Sequence, residues 1–350
     1  MPKERILWID WAKAICLFLV VFGHLPLKNN SLEFFASFRM PLFFILSGYL
    51  FNNNHSFARI AKTSAIALLA PYLLYSIFGY IIWLIIGYIH NTSFFSQDIS
   101  ELLRPVWGAI LVDSKSSFAS MLNTPTWFFI ALFNIRIIAG LLARYNIKFT
   151  FPVFSFCCIA ALYLMSKYEI NLYFSIDSAL MAFPFFAFGY WVKEQNLLKY
   201  LRKEYLFLFF CITLCLNIIL SNLINGGAYS INGCVYGKSL ILSYVNGIIG
   251  STMIITIGLF LNKYKFKFID TISAGAIAVV GLHGYILRNA HKIIRRILFP
   301  HEIAAFSIIE GVLISLAALL LLYYPILFFQ RYFPLALGKR KTAPVEWISA

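Results

Sequence analysis

Residues 10–24 read Asp10-Trp-Ala-Lys13-Ala-Ile-Cys-Leu-Phe-Leu-Val-Val-Phe-Gly-His24. The stretch has the apolar character of a helix that crosses a bilayer. It also holds an acid, a base and a histidine, each costly in hydrocarbon. At 100° and 1.5 Å per residue, Lys13 and His24 lie about 20° apart around such a helix and about 16 Å apart along it. Asp10 falls about 40° from His24 by the same geometry. The three groups therefore share one stripe, with Asp10 and Lys13 at one mouth of the membrane and His24 near the other. A stripe of this kind must face protein or a water-filled cavity rather than lipid. Two plainer readings stand beside it: an i,i+3 ion pair of Asp10 with Lys13, and an interhelical hydrogen bond from His24.

The rest of the chain is of the same character. Its 350 residues are 61% hydrophobic and only 12% charged, and the mean hydropathy is +0.80. A soluble domain is nearer to about half apolar and about a quarter charged. Apolar runs of about 20 residues lie near 8–27, 32–51, 65–89, 126–143, 150–166, 173–192, 205–224, 240–261, 272–293 and 304–328. The expected architecture is an all-α polytopic membrane protein, a bundle of about ten transmembrane helices. Residues 1–335 form one transmembrane domain, and 336–350 a basic cytoplasmic tail.

A net charge of +15 would suggest nucleic acid in a soluble protein, but no basic segment here is long enough to be such a module. It reads instead as positive-inside bias. With both termini cytoplasmic, the inner segments hold 17 lysines and arginines against 7 outside. The six cysteines mostly fall in apolar runs with no Cys-x-x-Cys, as buried small hydrophobes do. No signal-peptide cleavage site follows the first run. The outer segment 90–125 contains an apolar stretch, Leu102–Val112, too short to span; it lies at the interface or re-enters. A second outer loop, 222–238, is rich in Asn and Gly.

Further polar groups fall at membrane depth. In the second run, Phe38-Arg-Met-Pro-Leu-Phe-Phe-Ile-Leu-Ser-Gly-Tyr49, Arg39 is level with His24 on the neighbouring helix. A cation there favours the neutral imidazole, the form that accepts a proton; the alternative is snorkelling to the outer surface. Ser47-Gly48 reads as a site of close helix packing. Trp127, in Thr124-Pro-Thr-Trp-Phe-Phe, is an aromatic-belt anchor before it is a sugar-stacking platform. Arg136 needs a partner within the bundle, for which Asp177 is the candidate. His283, in Val279-Val-Gly-Leu-His-Gly-Tyr285, is a buried hydrogen-bonded histidine or a catalytic one. Glu310 is expected to pair with Arg288 or Arg295. No residue spacing suggests a metal site or a phosphate loop.

Taken together these residues resemble the integral-membrane acyltransferase 3 family. Asp10-x-x-Lys13-x(10)-His24 is similar to its first-span signature, with Lys13 where the family usually has arginine. Met40-Pro-Leu-Phe-Phe-Ile-Leu-Ser-Gly-Tyr49 resembles its "PLFFxxSGY" element, Pro71-Tyr72-Leu its third-span start, Trp127-Phe-Phe-x-x-Leu132 its "WFL" element, and Leu282-His283 its late "Leu-His" element. The order is most like the fucose 4-O-acetylase-like branch, which often carries a histidine where Arg39 stands. The family also often has bases just before the Pro-Tyr pair; here the nearest are Arg59 and Lys62.

The resemblance implies transfer of an acyl group, usually acetyl, from cytoplasmic acyl-CoA to a sugar hydroxyl on a surface or lipid-linked glycan. Acetyl-CoA would be a donor substrate, with no bound cofactor and no nucleic-acid partner. It implies a multi-pass protein of the bacterial plasma membrane, with His24 as the essential catalytic residue. His24 would act as general base or acyl carrier, with Asp10, expected to position Lys13, and Arg39 grouped with it as catalytic; Lys13, Arg59 and Lys62 are expected to meet the donor, and Trp127, His283 and Arg136 to be acceptor-side or structural. The first rival is a sugar or lipid-glycan transporter, which suits embedded charges but lacks a repeated half. The second is a scaffold subunit with a degenerate site. Oligomeric state is left open.

Overall fold

Inside a bilayer no water is at hand to bond the backbone, so long apolar runs resolve into helices. The computed structural model describes residues 5–28, 34–90, 98–112, 122–226, 229–298 and 305–340, with 288–298 as backbone only. Thirteen helices are found there: α1 (Leu7–Phe22), α2 (Ala36–Tyr49), α3 (Phe57–Ser64), α4 (Ala70–His90), α5 (Ile99–Leu111), α6 (Trp127–Leu142), α7 (Ile147–Lys167), α8 (Ile176–Glu194), α9 (Leu206–Ile218), α10 (Leu240–Phe260), α11 (Lys267–Ala274), α12 (Ala276–Leu298) and α13 (Ile308–Tyr332). A two-residue antiparallel hairpin, β1 (Tyr229–Ser230) with β2 (Val235–Tyr236), interrupts them.

Each of the ten apolar runs contains a helix, but fewer qualify as spans. Among the described residues six helices are long and apolar enough to cross a membrane, and seven if the bent pair α11–α12 counts as one. The first two runs account for part of the difference. α1 has 16 residues and α2 has 14, about 24 and 21 Å of rise against a hydrocarbon core of about 30 Å.

These two short helices are the interior of the bundle. Eleven residues of α1 and nine of α2 are buried. α1 packs on α2, α10, α11, α12 and α13. The rim is different: the α9 segment Lys203–Asn225 is 11% buried and α7 17%, whereas α10 is 61% buried. Helices that bury so little apolar surface face lipid. Where α2 crosses α8, Gly48 and Gly189 are reciprocal: a Cβ on either would collide with the other helix's backbone, at Phe186 and Ile45 respectively. The close packing expected at Ser47-Gly48 is therefore present.

Two devices fix the heights of the elements. α3 runs into α4 through a π-helical segment, Ala65–Leu69, directly before Pro71. Proline has no N–H to return to the carbonyl of Ala67, and a wide turn absorbs the defect. The chain after α13 comes back to this place. Tyr75 Oη donates to Ala336 O at 2.9 Å, and Ala336 and Leu337 are buried. Packing thus continues past residue 335, while 341–350 lie outside the described residues. Second, α11 and the first part of α12 meet at an 86° bend around Gly275, and the α11 side is tied to the foot of α1. Ser273 Oγ donates to Asp10 Oδ1 at 2.5 Å. Beyond the bend α12 rises seven residues from Ala276 to His283, about 10.5 Å.

Candidate active site

α1 ends two residues short of the regular helix expected through His24. The His24 N–H bonds Val21 O at 3.1 Å and the Leu25 N–H bonds Phe22 O at 3.1 Å, so the last turn is tightened to i→i−3 bonding. That leaves the carbonyl of Val20, the regular partner of residue 24, for the side chain. His24 Nδ1 lies 2.7 Å from Val20 O. A carbonyl only accepts, so Nδ1 carries the proton and Nε2 carries the lone pair.

His283 repeats the arrangement on α12. Its Nδ1 lies 2.8 Å from Val279 O and 3.1 Å from Val280 O. The side chain is fully buried, and its Nε2 has no hydrogen-bond partner among the described residues. The two imidazoles meet edge to face with ring centroids 4.8 Å apart. The sequence offered His283 as buried or catalytic; the structure brings it to His24.

Two chambers open beside this pair, on either side of Thr124-Pro125, and His24 lines both. One, of about 240 Å³, is bounded by Leu25, Leu122, Asn123 and the Gly284–Leu287 turn of α12. The other, of about 170 Å³, is bounded by Arg39, Trp127 and the hairpin segment Tyr229–Asn232. Asn123 is held in place by a 2.8 Å bond from Nδ2 to Gly281 O, and Thr126 Oγ1 bonds Asn123 O at 2.7 Å. Trp127 is 8% exposed and packs beside Phe44. It is therefore a chamber wall and not an anchor in the lipid interface, because α6 begins inside the bundle.

Arg39 does not snorkel. Its guanidinium lies across Gly23, where any Cβ would collide with it. It lines the smaller chamber with His24, and no described carboxylate forms an ion pair with it. The Arg39 carbonyl accepts from Cys16 Sγ at 2.7 Å, which pins α2 to α1 at this height.

At the foot of α1 the expected pairing changes. Asp10 accepts from Arg5 Nε at 2.6 Å and from Ser273 Oγ; its ion partner is Arg5, not Lys13. It stands fourteen residues from His24, about 21 Å along the helix, and lines neither chamber. Arg5 also donates to Asp270 O at 2.6 Å. Lys13 is in electrostatic reach of Asp10, Arg5 and Lys339, so the foot gathers three cations. Arg59 and Lys62 are exposed on α3 and line none of these chambers. Lys339 was missed in the sequence because its position depends on the chain's return after α13.

The remaining candidates are elsewhere. Arg136 lies nine residues beyond Trp127, about 14 Å further along α6, and lines neither chamber. Asp177 Oδ1 accepts from the Ser178 N–H at 2.7 Å, at the start of α8. Glu310 completes a capping box, accepting from the Ser307 N–H at 2.7 Å; the side chains of Arg288 and Arg295 are outside the described residues. Among the described residues no three His, Cys, Asp or Glu side chains gather to hold a metal. Asn123 and Tyr229–Asn232 reach the chambers from loops that carried no periodic signal.

No curated protein and no solved structure matches the chain. The family model described as an acyltransferase domain matches residues 6–335, a region that holds His24, Arg39, His283 and both chambers. The chain belongs to the acyltransferase 3 family and is a membrane acyltransferase.

Proposed function

We propose that the protein moves an acetyl group from cytoplasmic acetyl-CoA to a sugar hydroxyl on a surface or lipid-linked glycan, with His24 as the general base. The observation that carries this reading is the His24–Val20 bond, which leaves Nε2 as an acceptor in a residue that shares the smaller chamber with Arg39, an arginine with no ion-pair partner among the described residues. The family match favours transfer over the transporter reading. The order of motifs favours the fucose 4-O-acetylase-like branch.

In this mechanism the nucleotide phosphates of the donor rest against Lys13, Arg5 and Lys339. The pantetheine arm follows α1 outward over about 16 Å. The thioester carbonyl oxygen meets Arg39 in the smaller chamber, and the acceptor hydroxyl approaches from the larger. His24 Nε2 takes the hydroxyl proton as the oxygen attacks the carbonyl carbon. Arg39 stabilises the oxyanion that forms. When the C–S bond breaks, the proton passes from Nε2 to the departing thiolate. This path requires the foot of α1 on the cytoplasmic side, an orientation that the 17 to 7 basic asymmetry supports, in the bacterial plasma membrane.

The test is His24→Ala in purified protein with labelled acetyl-CoA and membrane glycan. Loss of both acetylated product and CoA release supports the reading; full activity overturns it. Trapping of label on the wild-type protein without acceptor would make His24 an acyl carrier rather than a base.

A further inference from the structure

A third cavity, of about 230 Å³, lies between α4 and α5. α5 runs back along α4, held by two tyrosines. Tyr80 Oη donates to Leu102 O at 3.0 Å, and one helical stretch away Tyr72 Oη donates to Ala109 O at 2.5 Å. Both hydroxyls are thus committed to the backbone of α5, and what the cavity presents is almost entirely hydrocarbon.

Its two ends differ. At one, Leu73, Ile77 and Ile110 line the cavity and are also 58%, 57% and 50% exposed. Around them Ile99, Leu103 and Trp107 form an uncovered apolar stripe on the outer face of α5. A stripe like this on a membrane protein faces lipid, so this end opens sideways into the bilayer. At the other end the cavity is bounded by Leu122 and Asn123, which also line the larger His24 chamber. The two spaces meet at the same pair of residues.

From this we infer that the α4–α5 cleft is a lateral hydrocarbon site, and that the acceptor is a sugar lipid whose alkyl tail lies in it while the sugar occupies the larger chamber. A donor acyl chain would need only a closed pocket, since the donor arrives along α1. An opening onto the bilayer suits a ligand that stays anchored there. The inference rests on the acyl-transfer reading for the sugar end and on the cleft alone for the tail.

The test uses full-length protein in lipid nanodiscs and a long-chain alkyl glycoside carrying a diazirine in its tail. Wild-type protein and His24→Ala should both be labelled on peptides from residues 70–90 and 99–111. Ala109→Trp and Ser76→Phe, which fill the cleft from opposite walls, should lose about tenfold of that labelling with melting temperatures within a few degrees of wild type. Undiminished labelling in both filled variants overturns the inference. So does equal labelling of the same peptides by a diazirine phosphatidylcholine, which would make the cleft a seat for bulk lipid. Absence of CoA release from wild-type protein supplied with acceptor, with cleft labelling intact, would count against acyl transfer and leave the hydrocarbon site standing.

Discussion

The imidazole of His24 meets that of His283 edge to face, 4.8 Å between centroids, and each ring spends its Nδ1 proton on a carbonyl of its own helix. Both Nε2 atoms are therefore lone-pair nitrogens, one on a residue that lines the chambers and one buried without a hydrogen-bond partner among the described residues. Such a neighbour orients the working ring through its edge. Replacing His24 with alanine should lower transfer by about 10²–10⁴-fold, the range for removing a general base. His283→Phe keeps a ring in contact and removes Nε2; transfer should fall about tenfold with the melting temperature within a few degrees of wild type. A large drop in melting temperature at unchanged kcat would reduce His283 to packing.

Arg39 lies in the smaller chamber with no described carboxylate paired to it. An unpaired cation at this depth is expensive, and an oxyanion that forms only during reaction would offset that cost. Arg39→Gln should lower kcat by about 10²–10³-fold and leave the donor KM near the wild-type value. Arg39→Lys should recover only part, since the planar fork is lost. A raised donor KM at unchanged kcat would move Arg39 to ground-state binding.

Asp10 carries its charge about 21 Å from His24, spent on Arg5 and Ser273. Its bonds tie α1 to α11, next to the bend at Gly275. Asp10→Asn should cost about 1–3 kcal/mol of stability, as for a hydrogen bond to a charged group. Transfer by the folded fraction should stay within a few-fold. Thermal melting beside kcat on the same preparation decides it: an intact melt with abolished transfer would put Asp10 in the chemistry.

What the chain spelled out and what it hid divide along one physical line. Arg39 could be set level with His24 because a short connection makes α1 and α2 antiparallel neighbours. Gly48 could be read as a contact because only close approach rewards glycine in a membrane helix. The stripe on α1 was drawn with 100° steps, which hold only as far as Phe22; the tightened turn at Gly23-His24 and the claim of Arg5 on Asp10 both depend on neighbours. His283 lies 259 residues from His24, and no local pattern encodes that meeting. Trp127 looked like a belt residue because a sequence shows where a helix starts and not what covers its start. The span count suffered in the same way: α1 and α2 are apolar because they are buried in protein, and their length is not set by the bilayer.

Lys339 gives the pH dependence. It lies beyond α13, and partial desolvation first, with the neighbouring Arg5 second, holds it below the usual lysine range. A lysine lowered in this way loses its charge at a lower pH than a free one, whose value is about 10.4. The cluster it forms with Lys13 and Arg5 should therefore weaken toward nucleotide phosphates as pH rises, starting below that value. Binding of CoA to His24→Ala protein, followed by calorimetry across the alkaline range, isolates this step from turnover. Wild-type Lys339 should show affinity falling with pH. Lys339→Arg should hold its affinity to higher pH, because guanidinium does not titrate there. Lys339→Ala should bind about tenfold more weakly at neutral pH and lack the alkaline decline. A decline of unchanged size in Lys339→Ala would assign the titration to another group and remove Lys339 from the donor site.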